Sequence, residues 1–315
     1  MPLPTHPINK IACVGEVMIE LIANDSDTAR IGVAGDTFNT AYYINALLAD
    51  TEVSTSYVTA LGDDAFSDRI LKTIQGHGIK TNAIERRAGQ MPGLYAIETD
   101  DAGERSFSYW RSAAAARSIF TPPCAVPIEV LNGFDLVLFS GISMAILPPE
   151  TRAKVLDWID SFRANGGLLA YDSNHRPRLW ESVEVARATN VAMWQRADIA
   201  LPSVDDEMDL FGDASEADAL TRLQSYGVTF GALKRGDKGP LNIATGAPLE
   251  NALAAPKVVD STAAGDSFNA GFLAAIAKGK DVTDAMALGH SLAAYVVTKR
   301  GAILDISGQR LASPK

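Results

Sequence analysis

The sequence is poor in the residues that build metal centres and disulfide frameworks. Its 315 residues include two cysteines, Cys13 and Cys124, and four histidines at scattered positions. One disulfide is arithmetically possible, but two reduced thiols in an intracellular protein are the simpler interpretation. Because the histidines have no metal-ligand spacing, the sequence predicts no metal site made of protein side chains alone.

Positive charge and long apolar runs are also missing. The formal net charge is −10, with no cluster of Lys or Arg, which argues against nucleic acid and anionic membranes as partners. No apolar run is long enough to span a membrane, and Met1 to Lys10 lacks the apolar segment of a signal peptide. We therefore expect a cytoplasmic protein that binds neither nucleic acid nor membranes.

Two phosphate-binding patterns are absent as well. Neither the P-loop sequence G-x-x-x-x-G-K-[ST] nor the set of protein-kinase motifs occurs, which excludes those two classes. The apolar share of 47% is ordinary for a globular protein. The length suits a large α/β domain with an accessory piece.

What the sequence does contain is a repeated alternation of strand and helix patterns. Helical periodicity occurs at Phe66 to His77 and at Arg152 to Arg163. Short apolar runs predict strands at Ile11–Val14, Ser54–Leu61, Leu136–Ser140, Leu168–Tyr171, Ile199–Leu201 and Val228–Leu233. This alternation predicts a mostly parallel central sheet with helices on both faces. Polar motifs follow these strands, so they should converge at the carboxyl edge of the sheet.

A β-hairpin interrupts this alternation. Leu94 to Glu98 and Arg105 to Arg111 read as two strands joined by a Gly-containing loop. Because side chains alternate along a strand, Tyr109 and Arg111 share one face, on which Tyr95 could join them. The hairpin is either part of a substrate lid or an exposed element with a solvated arginine.

The stretch from Asp260 to Asp266 reads as a strand end, a turn of small residues and a helix start. Ala263, Ala264 and Gly265 leave the backbone accessible, and the free N–H groups of a helix start form an anion site. We expect Asp266 to stay ionised at this positive helix end. A helix start with an ordinary first-turn acidic residue is the simpler alternative. An anion site beside a carboxylate base would suit phosphoryl transfer.

This stretch matches D-[ST]-T-x-A-G-D, the C-terminal signature of the ribokinase/PfkB sugar kinase family, which the chain resembles from about Ile11 to Gly301. The segment around Gly35 resembles the N-terminal G-G-x-x-x-N element of the family. Ala34 and Ala263 stand where the family has glycine. The resemblance implies a single ribokinase-like α/β domain over residues 1–315, with a small β lid formed by insertions near 16–34 and 90–112.

Two further elements resemble the members of this family that phosphorylate the sugar acid 2-keto-3-deoxygluconate. They are Tyr109-Trp110-Arg111 and the N-x-R-P-x-L-W pattern from Asn174 to Trp180. Arg111 and Arg176 would bind the sugar carboxylate, because burying unpaired cations is costly and an arginine fork suits a carboxylate. The implied reaction forms the 6-phosphate and feeds the Entner–Doudoroff route. A kinase of another sugar, such as fructose, and a silent sugar-acid-binding regulator stay open.

The resemblance also implies roles for single residues. Asp266 would be the base, with the anion hole formed by Ala263, Ala264 and Gly265. The sugar acid would be bound by Gly35, Asp36, Asn39, Tyr95, Tyr109, Arg111 and Arg176. The nucleotide side would be lined by Asn174, Lys234, Arg235, Gly236 and Gly239.

The implied cofactors are ATP and Mg2+, the latter bound mainly through the nucleotide. A requirement for K+ and a homo-oligomeric state are left open. Where the family carries an N-x-x-E element near Mg2+, this chain has Ser203 in place of the Asn. Either Asp206 or Glu207 would take the place of the Glu.

Overall fold

The computed structural model describes residues 7–23, 27–99, 105–252, 254–309 and 311. The strands are β1 (Lys10–Val14), β2 (Met18–Ala23), β3 (Ala29–Ala34), β4 (Ser54–Leu61), β5 (Ile84–Arg86), β6 (Leu94–Thr99), β7 (Arg105–Trp110), β8 (Leu136–Ser140), β9 (Leu168–Asp172), β10 (Ile199–Ala200), β11 (Ala232–Leu233) and β12 (Leu241–Asn242). The α-helices are α1 (Asp36–Leu47), α2 (Ala65–Gly76), α3 (Gly141–Ile146), α4 (Pro149–Ala164), α5 (Val183–Trp194), α6 (Val204–Phe211), α7 (Glu216–Ser225), α8 (Ala264–Ala277) and α9 (Val282–Val296). Within these ranges, no helix combines the length and apolar character needed to cross a bilayer.

The central sheet has six parallel strands in the order β10–β9–β8–β1–β4–β5. Its strands alternate between two cores, as the two-residue period of a strand requires. In β1, Ile11 and Cys13 pack against α1, α2, α8 and α9, whereas Ala12 and Val14 face α3 to α7. The predicted parallel sheet with helices on both faces is confirmed.

A second sheet of four strands lies in the order β3–β2–β6–β7. It is built from the two segments in which the lid insertions are predicted. Tyr95 of β6 pairs with Tyr109 of β7, and their rings stack with centroids 5.8 Å apart, so the predicted shared face is confirmed. The loop that joins β6 to β7 lies outside the described residues. β3 has no counterpart among the predicted strands.

The strand predicted at Val228–Leu233 is shortened to β11, which pairs antiparallel with β12. Gly231 explains the difference. It adopts φ +136°, and a Cβ built on it would lie 1.9 Å from the carbonyl oxygen of Ala200. This close approach to the end of β10 interrupts regular pairing before β11 begins.

A close contact between two glycines joins α8 to α9. A Cβ built on Gly271 would lie 2.7 Å from Cα of Gly289, so a side chain there would push the helix backbones apart. We expect Gly271→Ala to lower the free energy of unfolding by about 1–3 kcal/mol, the usual cost of overpacking. Urea denaturation measures this change.

Gly76, in the last turn of α2, is the matched control, because a Cβ built on it has no atom within 4 Å. Gly76→Ala should leave stability unchanged or raise it slightly, since alanine favours a helix more than glycine does. If the two variants unfold at the same urea concentration, the glycine contact does not limit the packing of α8 on α9.

Candidate active site

A cleft of about 1800 Å3 opens at the carboxyl ends of the central strands, beneath the second sheet. Its walls include the start of α1, the loop after β9, the loop after β11 and the start of α8. Every residue predicted for the site lines this cleft except Gly239. The carbonyl of Gly239 instead accepts a hydrogen bond of 2.9 Å from Arg235 Nε, which holds the loop after β11.

The turn before α8 is formed by an alanine in a conformation typical of glycine. Ala263 has φ 62°, in the left-handed region. Its carbonyl accepts bonds from the N–H and hydroxyl of Ser267, while Asp260 accepts bonds from the N–H groups of Thr262 and Gly301. These contacts hold the start of α8 at the cleft wall, where first-turn N–H groups have no intrahelical acceptor. Of the three N–H groups predicted for the anion hole, that of Ala264 donates to the carbonyl of Ser261 at 3.2 Å.

Asp266 stands in the first turn of α8, closely surrounded by protein atoms but open on one side to the cleft. Asn39 Nδ2 donates a hydrogen bond of 2.8 Å to its Oδ2. Burial, followed by the nearby carboxylate of Asp36, raises the pKa of Asp266 to about 8. The helix end was expected to keep this group ionised, but desolvation by burial shifts its pKa in the opposite direction.

The predicted sugar side and nucleotide side meet at Asp36. Its carboxylate accepts hydrogen bonds from Asn174 Nδ2, at 2.9 Å, and from Ser140 Oγ, at 2.5 Å. Asn174 adopts φ 30°, and its N–H donates to Asp172 Oδ1 at the end of β9. The ends of β8 and β9 therefore fix the side chain that begins α1.

A buried network lies directly beneath the start of α8. Lys234 Nζ donates to Asp172 Oδ2 at 2.7 Å and to Asn269 Oδ1 at 3.0 Å, and Asn269 Nδ2 donates to Asp172 Oδ2 at 2.6 Å. A Cβ built on Gly265 would lie 3.5 Å from Lys234 Nζ. Sequence reasoning missed Asp172 and Asn269 as site residues. The position of Asp172 at the carboxyl end of a predicted strand is the signal that could have identified it.

Arg111 is not an unpaired cation, and that part of the prediction is wrong. Its Nη2 donates to Oε2 of Glu16, a side chain with 1% exposure, and the two form an ion pair beside the cleft. Burial raises the pKa of Glu16, and the charge of Arg111 opposes this shift. Glu16 lies two residues after the end of β1, and this position beyond a predicted strand is the sequence signal that was missed.

Arg176 differs from Arg111 in its exposure. Its side chain is 54% exposed, and its Nη1 lies 3.7 Å from Asp206 Oδ1. Asp206 itself lines the cleft, whereas Glu207 is buried in an ion pair with Arg222 and accepts a bond from Trp194 Nε1. Of the two acidic side chains left open by the sequence, the one at the cleft is Asp206.

Comparison with known proteins places the chain in a family. The model of the pfkB family carbohydrate kinases matches residues 8–308, and the chain belongs to this family. It is 44% identical over 301 residues to a 2-dehydro-3-deoxygluconokinase of Dickeya dadantii, with 94% of this chain and 97% of that protein covered. The protein of the same name from Escherichia coli K12 is 42% identical over 300 residues, with the same coverage.

Solved structures confirm the ribokinase-like fold. A PfkB protein from Polaromonas sp. JS666 superimposes with a TM-score of 0.79 at 22% identity, covering 93% of this chain and 96% of that one. A fructokinase from Xylella fastidiosa with bound ATP also gives 0.79, at 21% identity and with coverage of 93% and 94%. At this identity the structures establish the fold, while the kinase class rests on the family and the closer relatives.

The raised pKa of Asp266 predicts a pH-dependent cost to stability. Between pH 3.8 and about 8 the folded protein binds this proton more tightly than the unfolded chain, so stability falls as the pH rises through that window. Asp266→Asn should therefore raise the free energy of unfolding at pH 8 by an amount on the order of 2 kcal/mol. Urea denaturation at several pH values measures this.

Asp237→Asn is the control, since that side chain is exposed at the same cleft. We expect it to leave the pH dependence unchanged. If Asp266→Asn has the same stability as the wild type at every pH, the pKa of Asp266 is not raised in the folded protein.

Proposed function

We propose that the protein transfers the γ-phosphoryl group of ATP to the 6-hydroxyl of 2-keto-3-deoxygluconate. The observation that carries the phosphoryl-transfer part is the carboxyl group of Asp266, held by Asn39 at the start of α8. The choice of substrate is supported by the relatives named 2-dehydro-3-deoxygluconokinase, which match nearly the whole chain. Two cleft arginines, Arg111 and Arg176, suit an acidic sugar.

In this proposal Asp266 accepts the proton of the attacking hydroxyl. The oxygen of that hydroxyl forms a bond to the γ-phosphorus while the bond from phosphorus to the bridging oxygen of ATP breaks, which leaves ADP. Asp266 has to be ionised to accept the proton, and the charge of Lys234 favours its ionised form. The N–H groups of Ala263, Ala264 and Gly265 hold the charge of the transferred group.

The remaining cleft residues divide between the two substrates. The sugar acid is bound by Gly35, Asp36, Asn39, Tyr95, Tyr109, Arg111 and Arg176. The nucleotide is bound by Asn174, Lys234, Arg235 and Gly236. Gly239 contributes only through the loop that it closes with Arg235.

The nucleotide side also suits a hard divalent cation. Asp206 and Asn174 both line the cleft, and Mg2+ prefers carboxylate and amide oxygens together with phosphate oxygens. Mg2+ supplies charge neutralisation of the phosphates when bound. Omission of Mg2+ from the assay tests the requirement for Mg2+. Replacement of K+ by Na+ tests whether K+ is required.

We further propose that the second sheet, β3–β2–β6–β7, acts as a lid on a single ribokinase-like domain. Its cleft-facing side presents Tyr95 and Tyr109, and Arg111 follows β7. Tyr95 is fixed by a hydrogen bond of 2.6 Å from its hydroxyl to Glu20 Oε1. A closed lid would exclude water, which otherwise competes with the sugar for the phosphoryl group.

Asp266→Asn tests the assignment of the base. The amide keeps the size of the side chain but cannot accept the proton, so kcat should fall by about 10²- to 10⁴-fold. The KM for ATP should change little. Asp237→Asn, in the same cleft, should keep wild-type kcat, and a near-normal kcat for Asp266→Asn would remove this residue from the mechanism.

A substrate panel tests the rest. ATP turnover should be far higher with 2-keto-3-deoxygluconate than with fructose or ribose, because only the sugar acid offers a carboxylate to the arginines. Arg111→Lys should raise the KM for the sugar acid by about one decade and leave that for ATP unchanged, since lysine lacks the planar fork. Equal kcat/KM for fructose would favour the neutral-sugar kinase, and the absence of turnover with every sugar would favour a silent regulator.

A further inference from the structure

The two predicted arginines do not supply enough free positive charge to bind an acidic sugar at the proposed sugar end of the cleft. An entering sugar acid meets the carboxyl groups of Asp36 and Asp266. The positive charge of Arg111 is already balanced by Glu16. Arg176 is largely exposed, so solvent screens its charge, and Asp206 lies 3.7 Å away. A surplus cation in a more enclosed position is needed for an anion to bind well.

Arg117 lies in such a position. It lines the cleft, is only partly exposed, and belongs to the 3-10 helix Ala115–Ser118. Among the described residues, no carboxylate lies within salt-bridge distance of its guanidinium. Its charge reaches two carboxyl groups: it opposes the burial that raises the pKa of Glu16, and it adds to the stronger effect of Arg152 in lowering the pKa of Glu181.

The alanine run before Arg117 explains why this cation is held in place. Ala114, Ala115 and Ala116 are buried, and their small side chains let the helical turn pack close to the central sheet. The N–H of Ala115 donates to the carbonyl of Met91 at 2.8 Å, and the N–H of Arg117 donates to the carbonyl of Ala114 at 3.0 Å. The guanidinium therefore projects from a fixed base rather than from a mobile loop.

We propose that Arg117 is a specificity-determining residue that supplies the surplus positive charge for the carboxylate of the sugar acid. This inference rests on the proposed function and names one more residue of the same site. Because Arg111 is paired with Glu16, it contributes mainly by orienting the sugar carboxylate with its planar guanidinium. The charge of Arg117 raises the affinity of the cleft for an anionic sugar and leaves its affinity for a neutral sugar unchanged.

The test compares 2-keto-3-deoxygluconate with 3-deoxyfructose, its neutral analogue in which the carboxylate is replaced by an alcohol. Arg117→Gln should lower the ratio of their kcat/KM values by about tenfold or more, through the KM of the acid. The kcat/KM of the neutral analogue and the KM of ATP should stay unchanged. Arg117→Lys keeps the charge and should retain most of the preference for the sugar acid. It also provides a second measurement if the Arg117→Gln protein does not fold.

Arg178→Gln is the matched control, because Arg178 lines the same cleft but is exposed. We expect it to leave the ratio unchanged. The role of Arg117 would be overturned if Arg178→Gln lowered the preference for the sugar acid as much as Arg117→Gln does. It would also be overturned if Arg117→Lys and Arg117→Gln lowered that preference equally. If the wild type does not phosphorylate 2-keto-3-deoxygluconate, the proposed function itself is overturned. If the wild type prefers the sugar acid and Arg117→Gln has the same kcat/KM ratio, only this inference is overturned.

Discussion

The carboxyl group of Asp266 is enclosed beside that of Asp36, and the surrounding structure has to offset this concentration of negative charge. Asn39 donates to Asp266, and Asn174 and Ser140 donate to Asp36. The start of α8 adds the partial positive charge of its first N–H groups. Even so, burial keeps the pKa of Asp266 raised, so ionisation of this carboxyl group costs free energy in the free protein.

Two buried ion pairs arrange the cations that face this centre. Lys234 is held by Asp172 under the start of α8, and Arg111 is held by Glu16 beside the cleft. Asp172 is the last residue of β9 and Glu16 lies two residues beyond β1, so the carboxyl edge of the sheet sets the positions of both acids. Removing one partner of such a pair would leave an uncompensated buried charge, which is more costly than losing an exposed salt bridge. The cations are therefore in place before any substrate binds.

The sequence by itself determined most of the central sheet, the hairpin and the helix start at the cleft. Short apolar runs identified the parallel strands, because both faces of the sheet are buried and each side chain of a strand such as β1 enters one core or the other. The signature from Asp260 to Asp266 located the helix start. The period of the hairpin indicated that Tyr95 could share a face with Tyr109, and the two residues pair in the structure. These features are local, so they can be read from neighbouring residues alone.

Only the tertiary structure decided which charges are paired. Glu16 and Arg111 are separated by 95 positions, and Asp172 and Lys234 by 62, so no local pattern joins them. The same holds for the pKa of Asp266, which depends on desolvation by distant segments and on Asp36 rather than on its own helix. Electrostatic energies depend on burial and on distances in space, and both are properties of the folded chain.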